Sequence, residues 1–232
     1  MAEGAFAEAL GLVLGGDPEF LSIVALSLRV TLSAVAIAAL VGLPLAALLA
    51  VSRFPGRQAV VVCCNALMGL PPVVAGLALY VLLSRSGPLG ELGWLFTPAG
   101  MVAAQTLLVA PIVVSVGREV LEGVWEESGE YLRSLGCSRL RAVPTLLWEG
   151  RFGLLTAVLA GFGRASAEVG AVLIVGGNIA GVTRTVTTAI TLETGRGNLA
   201  LALGLGIVLL ALVLLVNAAA FLAGRATRRA EG

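Results

Sequence analysis

Hydroxyl and guanidinium side chains concentrate in one stretch of the sequence, from Gly177 to Asn198. Six threonines and two arginines lie there: Thr183, Thr185, Thr187, Thr188, Thr191, Thr194, Arg184 and Arg196. These groups are suitable hydrogen-bond donors for a tetrahedral oxyanion, and two arginines would attract a dianion. The same surface could instead receive the acidic rim of another protein, without contact with the anion. We predict a role in translocation or docking, carried by five of these residues: Thr183, Arg184, Thr185, Thr187 and Arg196.

Two charged residues, Arg164 and Glu168, lie in an apolar part of the chain just before this stretch. Their spacing of four residues brings side chains together on one face of a helix. Charges at membrane depth are costly and usually face a partner or a water-lined cavity. An internal ion pair is the simplest prediction; the alternative is that Glu168 holds the threonine-rich stretch or a dimer interface in one of two states.

A second stretch, Gly129 to Trp148, combines charged residues with leucines in a chain that is otherwise strongly apolar. Apolar residues recur at helical spacing from Glu119 to Leu135, Gly136 is suited to ending that helix, and Ser138 could cap a second short one. The connection is roughly 35 residues long, whereas most connections have about 4 to 6. It could be a solvated connector lying on the membrane surface. We predict instead that it docks onto another protein.

Missing residue types exclude several chemistries. Histidine and lysine are absent, which removes the Ser-His-Asp triad, the His-ligated zinc site and the G-x-x-x-x-G-K-[ST] phosphate loop. The sole aspartate is Asp17, so an intramembrane aspartyl pair is not available. We therefore predict that the chain is not an enzyme and binds no metal or cofactor, and that any ATP and Mg²⁺ are bound by a partner chain. A net charge of +1 gives no support for nucleic-acid binding.

Composition predicts an all-α, polytopic membrane protein. The 232 residues are 58% hydrophobic and 12% charged, and the mean hydropathy is +1.01. About 20 apolar residues are needed to cross a bilayer core. Five segments meet that length: Leu21–Val51, Ala59–Leu83, Pro98–Val116, Phe152–Val175 and Leu199–Ala223. Pro71 and Pro72 predict a kink in the second of them.

Arginine placement predicts the orientation of these spans. One set of connections holds ten of the fifteen basic residues: Arg53, Arg57, Arg118, Arg133, Arg139, Arg141, Arg151, Arg225, Arg228 and Arg229. Because cytoplasmic loops carry the excess of basic residues, the N-terminus is predicted outside and the C-terminus inside. Residues 1–20 are then an extracytoplasmic lead-in, and 226–232 a cytoplasmic tail. Residues 21–225 form one transmembrane domain whose segment 117–151 is cytoplasmic.

The sequence "EYLRSLG", with Glu130 and Gly136 six residues apart, resembles the E-A-A-x-x-x-G signature in the cytoplasmic loop of ABC importer membrane subunits. Tyr131 and Leu132 replace the two alanines, and "TLLW" lacks the proline of the family's distal I-x-L-P. The resemblance implies that the loop plugs into a groove of an ATP-binding subunit. Six residues are then assigned to ATPase coupling: Glu130, Tyr131, Leu132, Arg133, Leu135 and Gly136.

Two further stretches, Gly69 to Gly90 and Ala167 to Asn198, are similar to permease subunits of tungstate-type ABC importers, which are kin of molybdate and sulfate permeases. The resemblance implies the fold of type I importer permeases (MetI-like). It also implies a homodimer in the plasma (inner) membrane of a prokaryote, two ATP-binding cassette subunits and an extracytoplasmic oxyanion-binding protein. Tungstate is the implied cargo, with molybdate or sulfate as alternatives. Since capture of the oxyanion belongs to the binding protein in such systems, docking is favoured over direct anion contact for the threonine-rich stretch.

A secondary transporter independent of an ATPase is the alternative class. Such a protein would commonly carry acidic coupling residues near the bilayer midplane and two related halves. The five predicted spans are unequal and show no obvious repeat. A purely structural subunit is a further alternative, but it does not explain the charged and leucine-rich stretch from Gly129 to Trp148.

Overall fold

The computed structural model describes residues 11, 15 and 17–231, without the side chains of residue 223 and residues 225–231. Within this part of the chain all regular structure is helical, which confirms the predicted fold class. The helices are α1 (Pro18–Val51), α2 (Arg57–Met68), α3 (Pro72–Leu83), α4 (Pro98–Ser134), α5 (Val143–Glu149), α6 (Arg151–Ser166), α7 (Gly170–Gly176), α8 (Val186–Gly195) and α9 (Leu199–Glu231), with a 3-10 turn at Gly90–Leu92.

Three of these helices, α1, α4 and α9, are long and apolar enough to cross a membrane. Two pairs of shorter helices, α2 with α3 and α6 with α7, pass the same test only when each pair is taken together. The predicted number of five spans therefore holds if each pair forms one span. Most of the predicted lead-in lies outside the described residues, while α9 runs without interruption into the predicted tail.

The predicted second and fourth spans are each broken rather than continuous. The break after α2 comes at Gly69, whose N–H donates to the carbonyl of Ala66 at 3.1 Å. Leu70 and Pro71 each precede a proline, which disfavours helical backbone, and Pro72 then begins α3 at a position where its missing N–H costs nothing. The predicted kink is thus confirmed as a full interruption. The fourth span breaks at residues 167–169.

Helix α4 corrects the predicted end of the third span. The span was expected to stop at Val116 and a separate helix to follow, but one helix of 37 residues runs from Pro98 to Ser134. At 1.5 Å per residue it is about 55 Å long, whereas the hydrocarbon core is about 30 Å thick. The helix is therefore roughly 25 Å longer than the core of the bilayer is thick.

The described chain forms two compact units, one of residues 1–33, 72–105 and 166–232, the other of 34–71 and 106–165. In the first unit, the start of α1 packs with α8 and α9 through Phe20, Ile23, Val186 and Leu205. In the second, small residues at the end of α1 pack with the end of α4, with α5 and with α6. The buried members of that core are Ala46, Ala47, Ala50, Val51, Leu121, Ala142, Leu146 and Leu154.

Helices α3 and α7 of the first unit approach each other closely at Gly76. A methyl group placed there would lie 2.7 Å from the Cα of Ala171, a backbone atom that cannot move alone. Small residues at helix contacts allow such approach in membranes, where dispersion and close packing hold helices together.

Gly76→Ala should therefore lower the unfolding free energy by about 1–3 kcal/mol, the usual cost of overpacking. Gly163→Ala adds the same methyl in α6 with nothing within 4 Å of it, and should stay within about 0.5 kcal/mol of the wild type. Thermal unfolding of the detergent-purified variants measures both. Equal melting temperatures for the two variants would contradict the close contact.

Candidate functional site

The predicted end of a helix at Gly136 is confirmed in detail. Gly136 has a left-handed backbone with φ of 75°. Its N–H donates to the carbonyl of Arg133 at 3.0 Å, and the N–H of Cys137 donates to the carbonyl of Leu132 at 3.0 Å. This pair of bonds is a Schellman motif, which satisfies carbonyls that a helix end leaves unpaired. Leu132 and Cys137 both pack on the core beneath, as the motif usually requires.

The predicted cap of the following helix at Ser138 is wrong. Helix α5 begins five residues later, at Val143, and Ala142 precedes it without a side-chain cap. Residues 139–142 form a turn instead, in which the N–H of Ala142 donates to the carbonyl of Ser138 at 3.1 Å. Pro144 lies in the first turn of α5, where the fixed φ of proline favours helix initiation.

The stretch from Gly129 to Trp148, called the coupling segment below, presents an apolar surface flanked by charges. Four large side chains are about two-thirds exposed: Tyr131, Leu135, Leu140 and Trp148. Leu132 is half-buried and packs against the core of the second unit, so it supports the surface and does not belong to it. Leu140 and Trp148 were not among the predicted coupling residues, although each stands in a helical apolar pattern.

The predicted charged residues of the coupling segment are exposed. Glu130 and Arg133 both face solvent. The Arg133 Nε donates to the carbonyl of Gly129 at 2.9 Å, and its guanidinium lies 5.7 Å from the ring centroid of Trp125. These contacts hold Arg133 against its own helix. Its charge therefore has a defined position beside the ring of Trp125.

An ionic cluster anchors the coupling segment to the transmembrane helices of the second unit. Glu122, on the projecting part of α4, pairs with Arg57 and with Arg118. The Arg57 Nε donates to the carbonyl of Leu49 at 2.8 Å, and the Arg139 NH1 lies 3.5 Å from the carbonyl of Val51. Cations near the C-terminus of α1 also interact favourably with the helix dipole. The spacing of Arg118 and Glu122 was the one sequence signal for this cluster, because Arg57 lies 65 residues from Glu122.

The threonine loop, residues 177–198, uses its hydroxyl groups within the chain. Thr183 is fully buried. Its hydroxyl donates to the carbonyl of Gly176 at 2.6 Å and accepts from the N–H of Ile179 at 2.9 Å. Thr187 donates to the carbonyl of Glu168 at 2.8 Å. Both of these hydroxyl protons are therefore committed to carbonyls of the chain in this conformation.

The third predicted threonine, Thr185, starts α8. It forms a capping box with Thr188, in which the N–H of Thr185 donates to the hydroxyl of Thr188 at 3.0 Å. The next N–H, that of Val186, donates to the hydroxyl of Ser27 on α1 at 2.7 Å. The helix start is thereby tied to α1, because the first N–H groups of a helix need partners from outside it.

The two arginines of the loop lie beside carboxylates. Arg184 pairs with Glu19 at 3.6 Å, and Arg196 pairs with Glu193 at 2.9 Å. Both line a cavity of about 400 Å³ together with Asp17, Glu19 and Glu193. Three carboxylates against two guanidinium groups give this cavity a net negative lining, which disfavours a dianion. Among the described residues no three histidine, cysteine, aspartate or glutamate side chains are arranged so that they could hold one metal ion.

Glu168 is not on a continuous helix with Arg164, because α6 ends at Ser166 and α7 begins at Gly170. The helical spacing on which the ion pair was predicted therefore does not apply, and the pair stays a prediction. Glu168 is buried, and one oxygen of its carboxylate accepts from the N–H of Ala171 at 2.9 Å. Its side chain thus provides a hydrogen-bond partner for an N–H group in the first turn of α7. The backbone carbonyl of Glu168 itself is the one that Thr187 binds.

The fold and these surfaces define a multi-pass helical membrane protein whose coupling segment exposes an apolar surface. The family described as binding-protein-dependent transport system inner membrane component matches residues 42–229. The chain belongs to this family, which confirms the resemblance drawn from the sequence and the type I importer permease fold. The family consists of transport subunits of the inner membrane.

Three relatives illustrate the similarity. A probable anion ABC transporter permease protein of Haloferax volcanii is 43% identical over 85% of this chain and 87% of its own length. The tungstate uptake system permease protein TupB of Peptoclostridium acidaminophilum is 37% identical over 85% of this chain and 86% of its own length. The molybdenum transport system permease protein ModB of Escherichia coli is 32% identical over 75% of this chain and 79% of its own length.

Thr183→Val should lower the unfolding free energy by about 1–3 kcal/mol, because it leaves a buried carbonyl and an N–H without a partner. Thr191→Val is the matched control, since Thr191 is exposed and donates only within its own helix. The melting temperatures of the purified variants measure the difference. A Thr183→Val protein that unfolds at the same temperature as Thr191→Val would contradict a structural role of the buried hydroxyl.

Proposed function

We propose that the chain is the membrane-spanning subunit of an ATP-driven importer of tetrahedral oxyanions, with tungstate as its cargo. The observation that carries the proposal is the 37% identity to the tungstate permease over 85% of the chain. The 43% identity to an anion permease supports the same class of cargo. The chain itself performs no catalysis, and ATP with Mg²⁺ is bound by a partner subunit.

The coupling segment is the proposed contact with the ATP-binding subunit. Its exposed apolar side chains Tyr131 and Leu135 belong to a helix end that also carries Glu130 and Arg133. Apolar anchors within a charged rim are typical of protein interfaces, where a few buried residues carry most of the binding energy. Part of α4 extends beyond the bilayer core, within reach of a soluble partner.

Movement of the ATP-binding subunits would reach the membrane through the anchored part of the segment. Leu132, Leu146 and the Glu122 cluster fasten the segment to α1 and α6 of the same unit. A displacement of the segment therefore acts on transmembrane helices and not on a flexible loop. Rigid-body motion of packed helices is a common way in which proteins change between two states. A homodimer would place two such units around a central path that alternates between outward and inward openings.

The threonine loop is proposed to lie on the extracytoplasmic side, with the N-terminus outside and the C-terminus in the cytoplasm, as the arginine distribution predicts. Its role is docking of an oxyanion-binding protein. Internal use of the Thr183 and Thr187 hydroxyls and the paired state of Arg184 and Arg196 favour docking over anion capture. Arg196 is the exposed member of the set and the proposed contact.

Molybdate is the second candidate cargo, and the 32% identity to a molybdenum permease favours it. Sulfate is the third, since the sulfate permease CysW of Escherichia coli is also 32% identical over 76% of this chain. The three dianions have similar shape, so the fold alone does not discriminate between them.

Leu135→Asp should abolish co-purification of an ATP-binding subunit from native membranes, because it introduces a charge into the proposed apolar contact. Leu92→Asp is the matched control, since Leu92 is likewise an exposed leucine, 48% against 65% for Leu135, but lies in the turn between α3 and α4. Quantitative mass spectrometry of the purified complexes measures the partner. If the wild type carries no ATP-binding subunit, or Leu135→Asp retains it fully, the ATP-driven proposal fails and a secondary transporter becomes the better explanation.

Cells that express the complete system should accumulate tungstate, measured by elemental mass spectrometry. The Leu135→Asp variant should lose this accumulation. For the competition test the transported tungstate carries an isotope label. An excess of unlabelled molybdate should reduce uptake of the label less than the same excess of unlabelled tungstate does, and sulfate should reduce it least. A stronger inhibition by molybdate or sulfate than by tungstate would reassign the cargo without affecting the ATP-driven class.

A further inference from the structure

An apolar groove of about 550 Å³ lies in the second unit, between α1 and the α5–α6 region. Ala36, Leu40 and Pro44 form its α1 side, and Leu147, Arg151 and Leu155 belong to the opposite side. The three α1 residues are spaced by four and share one helix face. Neither the family match nor the relatives assign anything to this groove.

Side-chain size explains why a groove exists here. Ala36 and Ala39 are small, whereas Leu40, Leu43 and Leu155 are bulky and form walls around the space. Leu40 is 77% exposed, so the groove is open along its length and is not a sealed cavity. The α1 residues from 36 to 44 extend over about 12 Å, comparable with the hydrocarbon thickness of one leaflet, about 15 Å.

Arg151 is the only charged residue among the described residues that line the groove. It is the first residue of α6 and lies three residues after Trp148, the last residue of the coupling segment. Its guanidinium lies 4.6 Å from the ring centroids of both Trp148 and Phe152, and its NH1 donates to the carbonyl of Trp148 at 2.6 Å. The positive charge therefore has a fixed position next to Trp148, at the border of a groove whose lining is almost entirely apolar.

We propose that this groove binds an anionic phospholipid, with an acyl chain along Ala36, Leu40 and Pro44 and the phosphate beside Arg151. The combination of an apolar channel and a cation at its border complements a lipid in both polarity and charge. Basic pockets between transmembrane helices on the cytoplasmic side commonly bind anionic headgroups. The exposed indole of Trp148 fits the same level, because tryptophan concentrates at membrane interfaces. The proposal rests on the orientation given under the proposed function, which places Arg151 in the cytoplasmic leaflet.

Native mass spectrometry of the full-length protein tests the proposal, after reconstitution in nanodiscs of phosphatidylcholine with a minor fraction of phosphatidylglycerol. The wild type should retain phosphatidylglycerol in preference to phosphatidylcholine. Arg151→Gln should reduce that preference about fivefold, the effect of one basic residue near the membrane surface. Ala39→Phe fills the groove without a change of charge and should reduce retention of both lipids.

Arg85→Gln is the matched control, since it removes an exposed arginine on the connection between α3 and α4 and should leave retention unchanged. Equal retention of the two lipids by the wild type, or unchanged retention by both Arg151→Gln and Ala39→Phe, would overturn the proposal. A photoreactive residue in place of Leu40 that captures a second copy of the chain, and no lipid, would also overturn it. Co-purification of the ATP-binding subunit in the same samples reports separately on the proposed function.

Discussion

Where a helix is interrupted inside a bilayer, its unpaired backbone N–H and C=O groups have no water to bind. In the broken helices of this protein, side chains supply the missing hydrogen-bond partners. At the break before α7, the carboxylate of Glu168 accepts a hydrogen bond from the N–H of Ala171. The backbone carbonyl of Glu168 accepts one from the hydroxyl of Thr187. At the break after α7, the buried Thr183 hydroxyl joins the carbonyl of Gly176 to the N–H of Ile179. Each of these bonds removes a penalty of about 1–3 kcal/mol for an unpaired buried group.

This use of hydroxyl and carboxylate groups changes the interpretation of the threonine-rich stretch. Threonines and arginines together suggest an anion site when only their chemistry is considered. In the folded chain the same groups close helix ends and pair with Glu19 and Glu193. Arg196 is the exposed member of the predicted set, which is why we propose that a docked protein, not a bare oxyanion, contacts this loop.

The coupling segment has the opposite arrangement: its contacts with the rest of the unit include ion pairs, and its exposed surface is apolar. The Glu122 cluster and the core around Leu146 hold the segment in place, and Gly136 turns the chain so that Tyr131 and Leu135 remain outside. An exposed apolar surface is costly for a segment in water unless a partner covers it. Firm anchoring and an uncovered contact surface are both features that the proposed coupling to an ATP-binding subunit would require.

Helix content, the location of the apolar segments and the turn at Gly136 could be predicted from the sequence, because hydropathy and glycine act locally. The predicted number of five spans holds only if each of the two bent helix pairs forms one span. The continuous α4 was missed, since charged residues and three glycines, Gly117, Gly123 and Gly129, follow Val116 and resemble the end of a span, although the helix runs through all of them. Ser138 was wrongly predicted as a helix cap, because the prediction used only its residue type. Its residue type is suitable, but Arg139 contacts α1 and the helix starts only at Val143, ahead of Pro144.

The sequence by itself therefore determined that the chain is a helical membrane protein of the ABC importer permease family, because composition, periodicity and short motifs are properties of neighbouring residues. Only the tertiary structure decided which side chains remain available for partners. Arg57 and Glu122 are 65 residues apart along the chain, and Ser27 and Val186 are 159 apart. Such contacts depend on how helices pack, which no local pattern specifies. They assign the hydroxyl of Ser27 to structure, while Tyr131 and Leu135 remain exposed.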